Sequence, residues 1–247
     1  MPSKATLKVY RSYRQRKFRE ADGVIVIEGE KLVEEALASD RLRVHQVLLR
    51  EDVAPRLADL LAHYPHETVG QKTLEQLTQF RSPPPVWMLA DRPEVQRPAF
   101  TGLSLYLDGV QDPGNVGTIW RIADWFGVDS VFGSPDTADF WHPKTLQASM
   151  GAFLRVPAER LPFETLRPQL PPHFPLVGAD MRGENPFKTR LPAPALLVVG
   201  SEGQGLTEEL NAALTHRLSI PRAARGGAES LNAAVATGIL VALWQNS

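Results

Sequence analysis

Residues 103–133 read LSLYLDGVQDPGNVGTIWRIADWFGVDSVFG, and three pieces of that run can be assigned from residue type alone. LSLYLDGV is an apolar strand that ends in the turn Gln111-Asp112-Pro113-Gly114. Asn115 stands where a helix N-cap is expected, and Val116, Ile119, Trp120 and Ala123 follow at i, i+3, i+4 and i+7. A helix with one apolar face therefore follows the strand, and VDSVFG is the next strand. Apolar strands alternating with such helices build a parallel sheet covered on both faces.

The alternation continues to the end of the chain. HPKTLQASMGAF reads as a helix running towards a strand at Phe153 to Val156. FPLVGAD and ALLVVG are strands, LTEELNAAL a helix, RLSIP a short strand, and AESLNAAVATGILVALW a long final helix. Upstream, residues 4–20 read as one helix. Val24 to Ile27 is a strand, and a Glu-Gly turn leads into a helix from about Glu30 to Ala38. VHQVLL is a strand, ADLLAHY and LEQLTQF are helical, and VWMLAD is a strand. This is a smaller α/β domain. DRPEVQRPAF, with Pro93 and Pro98, is the natural link. The expected organisation is α/β throughout: a smaller domain over 1–92, a linker over 93–100 and a larger domain over 101–247.

The chain has 247 residues, 43% of them hydrophobic, which suits folded domains and argues against disorder. It has no cysteine, which removes disulfides, thiolate metal sites and thiol nucleophiles and fits a reducing cytoplasm. The N-terminal stretch is basic without an apolar core, unlike a secretory signal, and no segment approaches the roughly 20 apolar residues of a membrane span. Scattered histidines and absent cysteines give no expectation of a metal site. His142, before Pro143, reads as a turn or capping residue.

A formal net charge of −1 favours no partner, but its distribution is uneven. Arg11, Arg14, Arg16, Lys17 and Arg19 crowd one stretch with Tyr10, Tyr13 and Phe18 between them. Cations interleaved with aromatics suit an RNA backbone and its unstacked bases, and equally suit a solvated helix face.

Three segments couple a strand end to a turn and a helix start: DGVQDPGNVGTIWRIADWFG (108–127), VVGSEGQGL (198–206) and LSIPRAARGGAESLNAAVATGI (218–239). Ligands of parallel sheets bind at the carboxyl ends of strands, so these turns can converge on one site. There is no GxGxxG after a first strand and no GxxxxGK[ST], so a nucleotide-phosphate loop is not supported. Glu202, among the glycines of the second segment, suits a cationic or hydrogen-bond-donating ligand, or else a first-turn charge on the next helix. Arg121, beside Trp120 and Ile122, is expected near partly buried surface, either in a site or in an i,i+3 pair with Asp124. Glu229, Ser230 or Asn232 can cap the last helix after Gly226-Gly227.

Together, in this order and spacing, the three segments resemble the signature motifs of the SpoU/TrmH family of RNA ribose 2′-O-methyltransferases, within the SPOUT superfamily. HPKTLQASMGAFLRVP is similar to the intervening segment of that family. The N-terminal part is similar, more weakly and through Glu28 to Lys31, to a substrate-recognition domain that looks like a small RNA-binding ribosomal protein.

The resemblance implies a deep trefoil knot, a homodimer whose site uses both protomers, and S-adenosylmethionine as cofactor. Carried over by position, Gly200, Ile220 and Leu231 would line the cofactor pocket, and Asn115, Arg121, Glu202, Ser230 and Asn232 match the polar positions of catalysis. A guanidinium offers only donors, so Arg121 is better suited to hold a phosphate and the developing 2′-oxyanion than to take the proton. Arg11, Arg14, Arg16, Lys17, Arg222 and Arg225 are the candidate RNA contacts. Ribosomal RNA is favoured over tRNA; a non-catalytic RNA-binding assembly factor or a base methyltransferase on the same fold are the alternatives. Four features depart from the family pattern: Ser201 where Asn is usual, Ile122 where Thr is usual, Gln147 where a basic residue is common, and a stretch from Arg222 to Arg225 about two residues longer than is typical.

Overall fold

The computed structural model describes residues 2–94, 98–201 and 203–245, the side chains at 181 and 182 excepted. The chain forms two compact units, residues 1–94 with 141–154 and residues 95–140 with 155–247. The linker reading over 93–100 includes 95–97, which lie outside the described residues.

The first unit holds α1 (Lys4–Ser12), α2 (Arg16–Asp22), β1 (Val24–Glu28), α3 (Glu30–Ala38), β2 (Val44–Leu49), α4 (Ala54–Leu61), β3 (His66–Thr68), α5 (Gln71–Leu77) and β4 (Val86–Asp91). Its sheet runs β1-β4-β2-β3, with β4 antiparallel to β1 and β2, and β3 parallel to β2. The short strand β3 carries no apolar alternation and was not legible beforehand. Tyr13, Val24, Val26, Leu48, Leu74, Trp87 and Leu89 pack together as the core.

The single helix expected over 4–20 is two. Arg19 is only 3% exposed, and its Nη1 donates to the carbonyls of Tyr13 (2.8 Å) and Arg14 (3.3 Å). A side chain thus satisfies carbonyls that a continuing helix would have satisfied, and the chain turns there. Tyr13 is buried and its hydroxyl donates to Asp22 (2.9 Å); burial first, and Asp22 second, push its pKa up to about 12. One of the five cations of the stretch and one of its aromatics are therefore structural.

The second unit opens with β5 (Leu103–Asp108), α6 (Pro113–Trp125) and β6 (Ser130–Gly133). The chain then contributes α7 (Pro143–Ser149) and a 3-10 turn (Ala152–Leu154) to the first unit. No strand forms at 153–156: Met150 and Gly151 both have positive φ (48° and 83°), so the helix stops, and the next strand is β7 (Ala158–Arg160). His142 caps α7, its Nδ1 accepting from the Lys144 amide at 3.2 Å.

The rest of the second unit is α8 (Phe163–Leu166), β8 (Leu176–Glu184), β9 (Ala195–Gly200), α9 (Glu208–Ala213), β10 (His216–Leu218) and α10 (Ala233–Trp244). Its sheet has the order β10-β8-β9-β5-β6-β7, parallel throughout. The central strands are buried along nearly their whole length, β5 entirely, as continuously apolar runs predict for a doubly covered sheet. On one face Tyr106, Phe132, Phe163, Leu166, Leu196 and Val198 form a core cluster. Strand order and direction place the ends of β5, β9 and β10 on one carboxyl edge.

Candidate active site

At the end of β5, Asp108 is 5% exposed and Gly109 turns the chain with a φ of 70°. The Gly109 amide donates to Ser134 Oγ (2.9 Å); that hydroxyl lies 3.2 Å from Thr137 Oγ1, which donates to the Leu107 carbonyl (2.8 Å). Buried hydroxyls thus fasten the turn from below. The cap of α6 is Asp112, not Asn115: its carboxylate accepts from the amides of Gly114 (2.6 Å) and Asn115 (3.0 Å). The reason is Pro113, whose fixed φ and missing N–H suit the first helical position and set the start one residue after Asp112. Asn115 therefore sits in the first turn of α6 and not at its cap.

Val116, Ile119, Trp120 and Ala123 are buried as their spacing predicts, and Trp120 Nε1 donates to the Val156 carbonyl (2.9 Å). Arg121 differs from expectation: it is exposed, not partly buried. Asp124 pairs instead with Arg155, whose Nε reaches both carboxylate oxygens at 3.0 Å. Among the described residues Arg121 has no hydrogen-bond or ion-pair partner. It lies six residues beyond Asn115, about 9 Å along the helix.

Register pairs Asp108 with Gly200 at the end of β9. The Asp108 carboxylate accepts from the Thr207 amide (2.6 Å), tying the first motif to the far side of the glycine loop. The loop closes on itself: the Ser201 and Gly205 main chains exchange bonds of 3.2 and 3.0 Å, and the Gln204 amide donates to Ser201 Oγ (3.2 Å). A Cβ on Gly200 would run into the main chain of Gly205. Only glycine permits that approach, which is why the motif needs one there. Glu202 lies outside the described residues. The first-turn acids of α9 are Glu208 and Glu209.

The third motif begins where the Ser219 amide donates to the Glu184 carbonyl (2.8 Å). Residues 221–232 are all exposed; Ile220 is half-buried and Leu231 is 45% exposed. The internal ties of the segment are few, among them Gly226 N to Ala223 O (2.8 Å) and Arg222 Nη1 to Ala228 O (3.1 Å). Among the described residues, the main-chain groups of Ile220 and Leu231 make no hydrogen bond. Unpaired amide donors and acceptors beside apolar side chains are what an adenine edge and the aliphatic part of a methionyl chain require, so this segment fits the implied cofactor.

The last helix starts at Ala233, later than expected, because Asn232 caps it: Oδ1 accepts from the amides of Ala234 (3.0 Å) and Val235 (3.2 Å). The other half of the same amide, Nδ2, donates to Asn115 Oδ1 at 3.0 Å. Two motifs 117 residues apart are joined at their side chains. Ser230 is exposed, lies outside the helix and contacts neither Asn115 nor Arg121 by hydrogen bond. Asp108 and Asp112 hold the edge together and were not singled out by sequence; the Asp-Pro pair at a helix start was the available signal for Asp112.

In the first unit, Arg11 and Arg14 line an open groove of about 530 Å³ with Lys8, Ser12, Gln15 and Gln79. Arg16 pairs with Glu20 (2.6 Å), and Lys17 Nζ stands 4.9 Å from the Phe18 ring centroid. Among the described residues no group of three or more His, Asp or Glu side chains could hold a metal, and no helix is long and apolar enough to cross a membrane.

Residues 102–242 match the model of the SpoU rRNA Methylase family. The chain belongs to the SpoU family. Residues 4–87 match the MRM3-like substrate binding domain. Among relatives of this SpoU protein, the 23S rRNA (guanosine(2553)-2′-O)-methyltransferase RlmP of Bacillus subtilis is 30% identical over 237 residues, covering 95% of this chain and 94% of that one. A TrmH-family protein from Porphyromonas gingivalis superposes with a TM-score of 0.84 at 36% identity, covering 100% and 99% of the two chains. The SpoU methyltransferase AviRb of Streptomyces viridochromogenes, solved in complex with the cofactor AdoMet, superposes with a TM-score of 0.84 at 25% identity over 99% and 98%.

Proposed function

We propose that this SpoU protein methylates a ribose 2′-oxygen of structured RNA, ribosomal RNA rather than tRNA, with S-adenosylmethionine as the methyl donor. The observation that carries this reading is the Asn232–Asn115 bond, which closes the third motif onto the first at the carboxyl edge. The name of the Bacillus relative and the AdoMet complex of the Streptomyces relative support the same chemistry.

When bound, the cofactor supplies an electrophilic methyl group. The residues of this chain hold and orient the reactants. Gly200, Ile220 and Leu231 present main chain and apolar surface to the cofactor. Arg121, exposed and unpaired among the described residues, holds the phosphate next to the target ribose and stabilises the oxyanion that develops at O2′. Its five N–H groups donate only, so its role is electrostatic and the 2′-hydroxyl proton passes to solvent water. Asn232 and Asn115 keep the starts of α10 and α6 in register around the reacting atoms. Ser230 joins the site on the substrate side.

The protein works as a cytoplasmic homodimer, with a knotted second unit and residues of both copies at each site. Two helices that pack on each other support the dimer. α10 is apolar on all faces, yet Val235 is 52% exposed, and Trp125 at the end of α6 is 83% exposed. The N-terminal unit recognises the RNA, with the groove of Lys8, Arg11 and Arg14 on its phosphates and Arg16 and Lys17 beside it. Arg222 and Arg225 add phosphate contacts from the second unit.

The test is transfer of label from S-adenosylmethionine to rRNA that lacks modifications, followed by nuclease digestion and mass spectrometry. Label in a 2′-O-methylnucleoside is expected. Label in a base, or no transfer together with no calorimetric binding of S-adenosylmethionine, defeats the reading.

A further inference from the structure

The tip between β8 and β9, Asn185 to Arg190, is not one of the family motifs, and its surface is unusual for a nearly neutral chain. Phe187 is 60% exposed, and Lys188 and Arg190 beside it are exposed as well. Single exposed apolar residues are ordinary on protein surfaces. This ring differs in standing on a built turn that carries two cations directly after it.

The turn is fixed from within. The Phe187 amide donates to Asn185 Oδ1 (2.9 Å), and the Lys188 amide to the Asn185 carbonyl (3.0 Å). Thr189 Oγ1 donates to Glu184 Oε2 (3.1 Å), which occupies the acid nearest the tip. Both roots are anchored: Pro186 and Leu191 are buried, and Trp244 Nε1 donates to the Pro192 carbonyl (2.7 Å). The main chain that carries the ring is therefore fixed, and the ring stays outside.

The location matters as much as the composition. Glu184 pairs with Leu218 at the end of β10, and its carbonyl accepts the Ser219 amide, the residue before Ile220. The tip thus rises from the same carboxyl edge as the third motif, within one compact unit.

We infer that Phe187 is a stacking platform for an unpaired base of the substrate RNA near the methylated nucleotide, with Lys188 and Arg190 on the flanking phosphates. Charge decides for RNA over a protein partner: residues 185–190 carry two cations and no acid. An aromatic ring next to cations serves a base and its phosphates together. The inference rests on the functional reading above for its substrate, and adds a specificity element that the motifs do not contain.

Full-length protein and a fluorescein-labelled oligoadenylate of about 12 nucleotides provide the test, read by anisotropy over a salt series. Phe187→Ala is expected to weaken binding about five- to 150-fold, and Phe187→Trp to keep it within about three-fold. The Lys188→Ala/Arg190→Ala double variant should lower the slope of log K against log salt by about 1.4, while Phe187→Ala leaves that slope unchanged. Equal affinity of Phe187→Ala and wild type would overturn the inference. So would loss of affinity accompanied by a change of sedimentation coefficient, which would place Phe187 in a contact between copies. Wild-type protein that binds the oligonucleotide but neither methylates unmodified rRNA nor binds S-adenosylmethionine would defeat the functional reading, while the Phe187 comparison still decides this one. Wild-type protein that binds no oligonucleotide would overturn the stacking role itself.

Discussion

The two sides of the carboxyl edge are built differently. The turn from β5 into α6 is fastened by a buried hydroxyl pair under Gly109, a carboxylate cap at Asp112 and the Asp108–Thr207 bond. The segment from Ser219 to Asn232 is exposed over 221–232 and is gripped chiefly at its ends, by Glu184 and by Asn115. One side is organised by the fold before any ligand arrives. The other has few internal ties and, among the described residues, leaves the main-chain groups of Ile220 and Leu231 unpaired, as suits a segment that gains partners on binding. Rigid chemistry and adaptable capture are thus divided between the first and third motifs.

The largest expected effect tests the rigid side. Arg121→Ala should lower methyl transfer about 100- to 1,000-fold while calorimetric binding of S-adenosylmethionine is retained, as for loss of one donor to a developing oxyanion. Full activity would place the chemistry elsewhere and break the comparison. Next, Gly200→Ala forces a Cβ into the Gly205 main chain and should cost about 1–3 kcal/mol in denaturant unfolding, with loss of cofactor binding. Gly227→Ala, on the adaptable side with no atom within 4 Å of its would-be Cβ, should stay within about 0.5 kcal/mol. Equal costs would mean that the third segment is as closely packed as the second.

Asn232 separates cap from link. Asn232→Ala loses both and should cost about 0.5–2 kcal/mol in thermal or denaturant melts. Asn232→Asp keeps an oxygen for the cap but has no N–H for Asn115, so its stability should stay near wild type while methyl transfer falls. If both functions survive in the aspartate variant, the Asn115 contact is not what closes the site. The smallest effect is predicted for Ser230→Ala: with the cap supplied by Asn232, stability should change by less than about 0.5 kcal/mol. A larger loss would show that the third motif is fixed by more than its ends.

Much of this arrangement was legible in advance, because buried strands and amphipathic helices announce themselves by periodicity. α3, β2, β4 and β9 form at the boundaries expected, and the buried face of α6 is the one its spacing specifies. The misreadings have a common cause. Asn115 as cap, the helix across residues 4–20, the strand at 153–156 and the early start of α10 each turned on one local competitor for the main chain. These were the Asp112 carboxylate, the Arg19 guanidinium, the positive φ at Met150 and Gly151, and the Asn232 amide. Such competitors act through single bonds that leave the hydrophobic pattern unchanged, so periodicity does not register them. Arg121 was misjudged for a related reason: apolar neighbours in sequence point to other faces of a helix.

By itself the sequence determined the α/β class and the three motifs, since these depend on residue type and spacing along the chain. Only the tertiary structure decided which motif residues meet. A single Asn232 side chain spends its oxygen on α10 and its nitrogen on Asn115, and Asp108 reaches across to Thr207. The physical reason is that a hydrogen bond is specified by distance and direction in space. Residues separated by a hundred positions acquire both only when parallel strands bring their ends to a common edge.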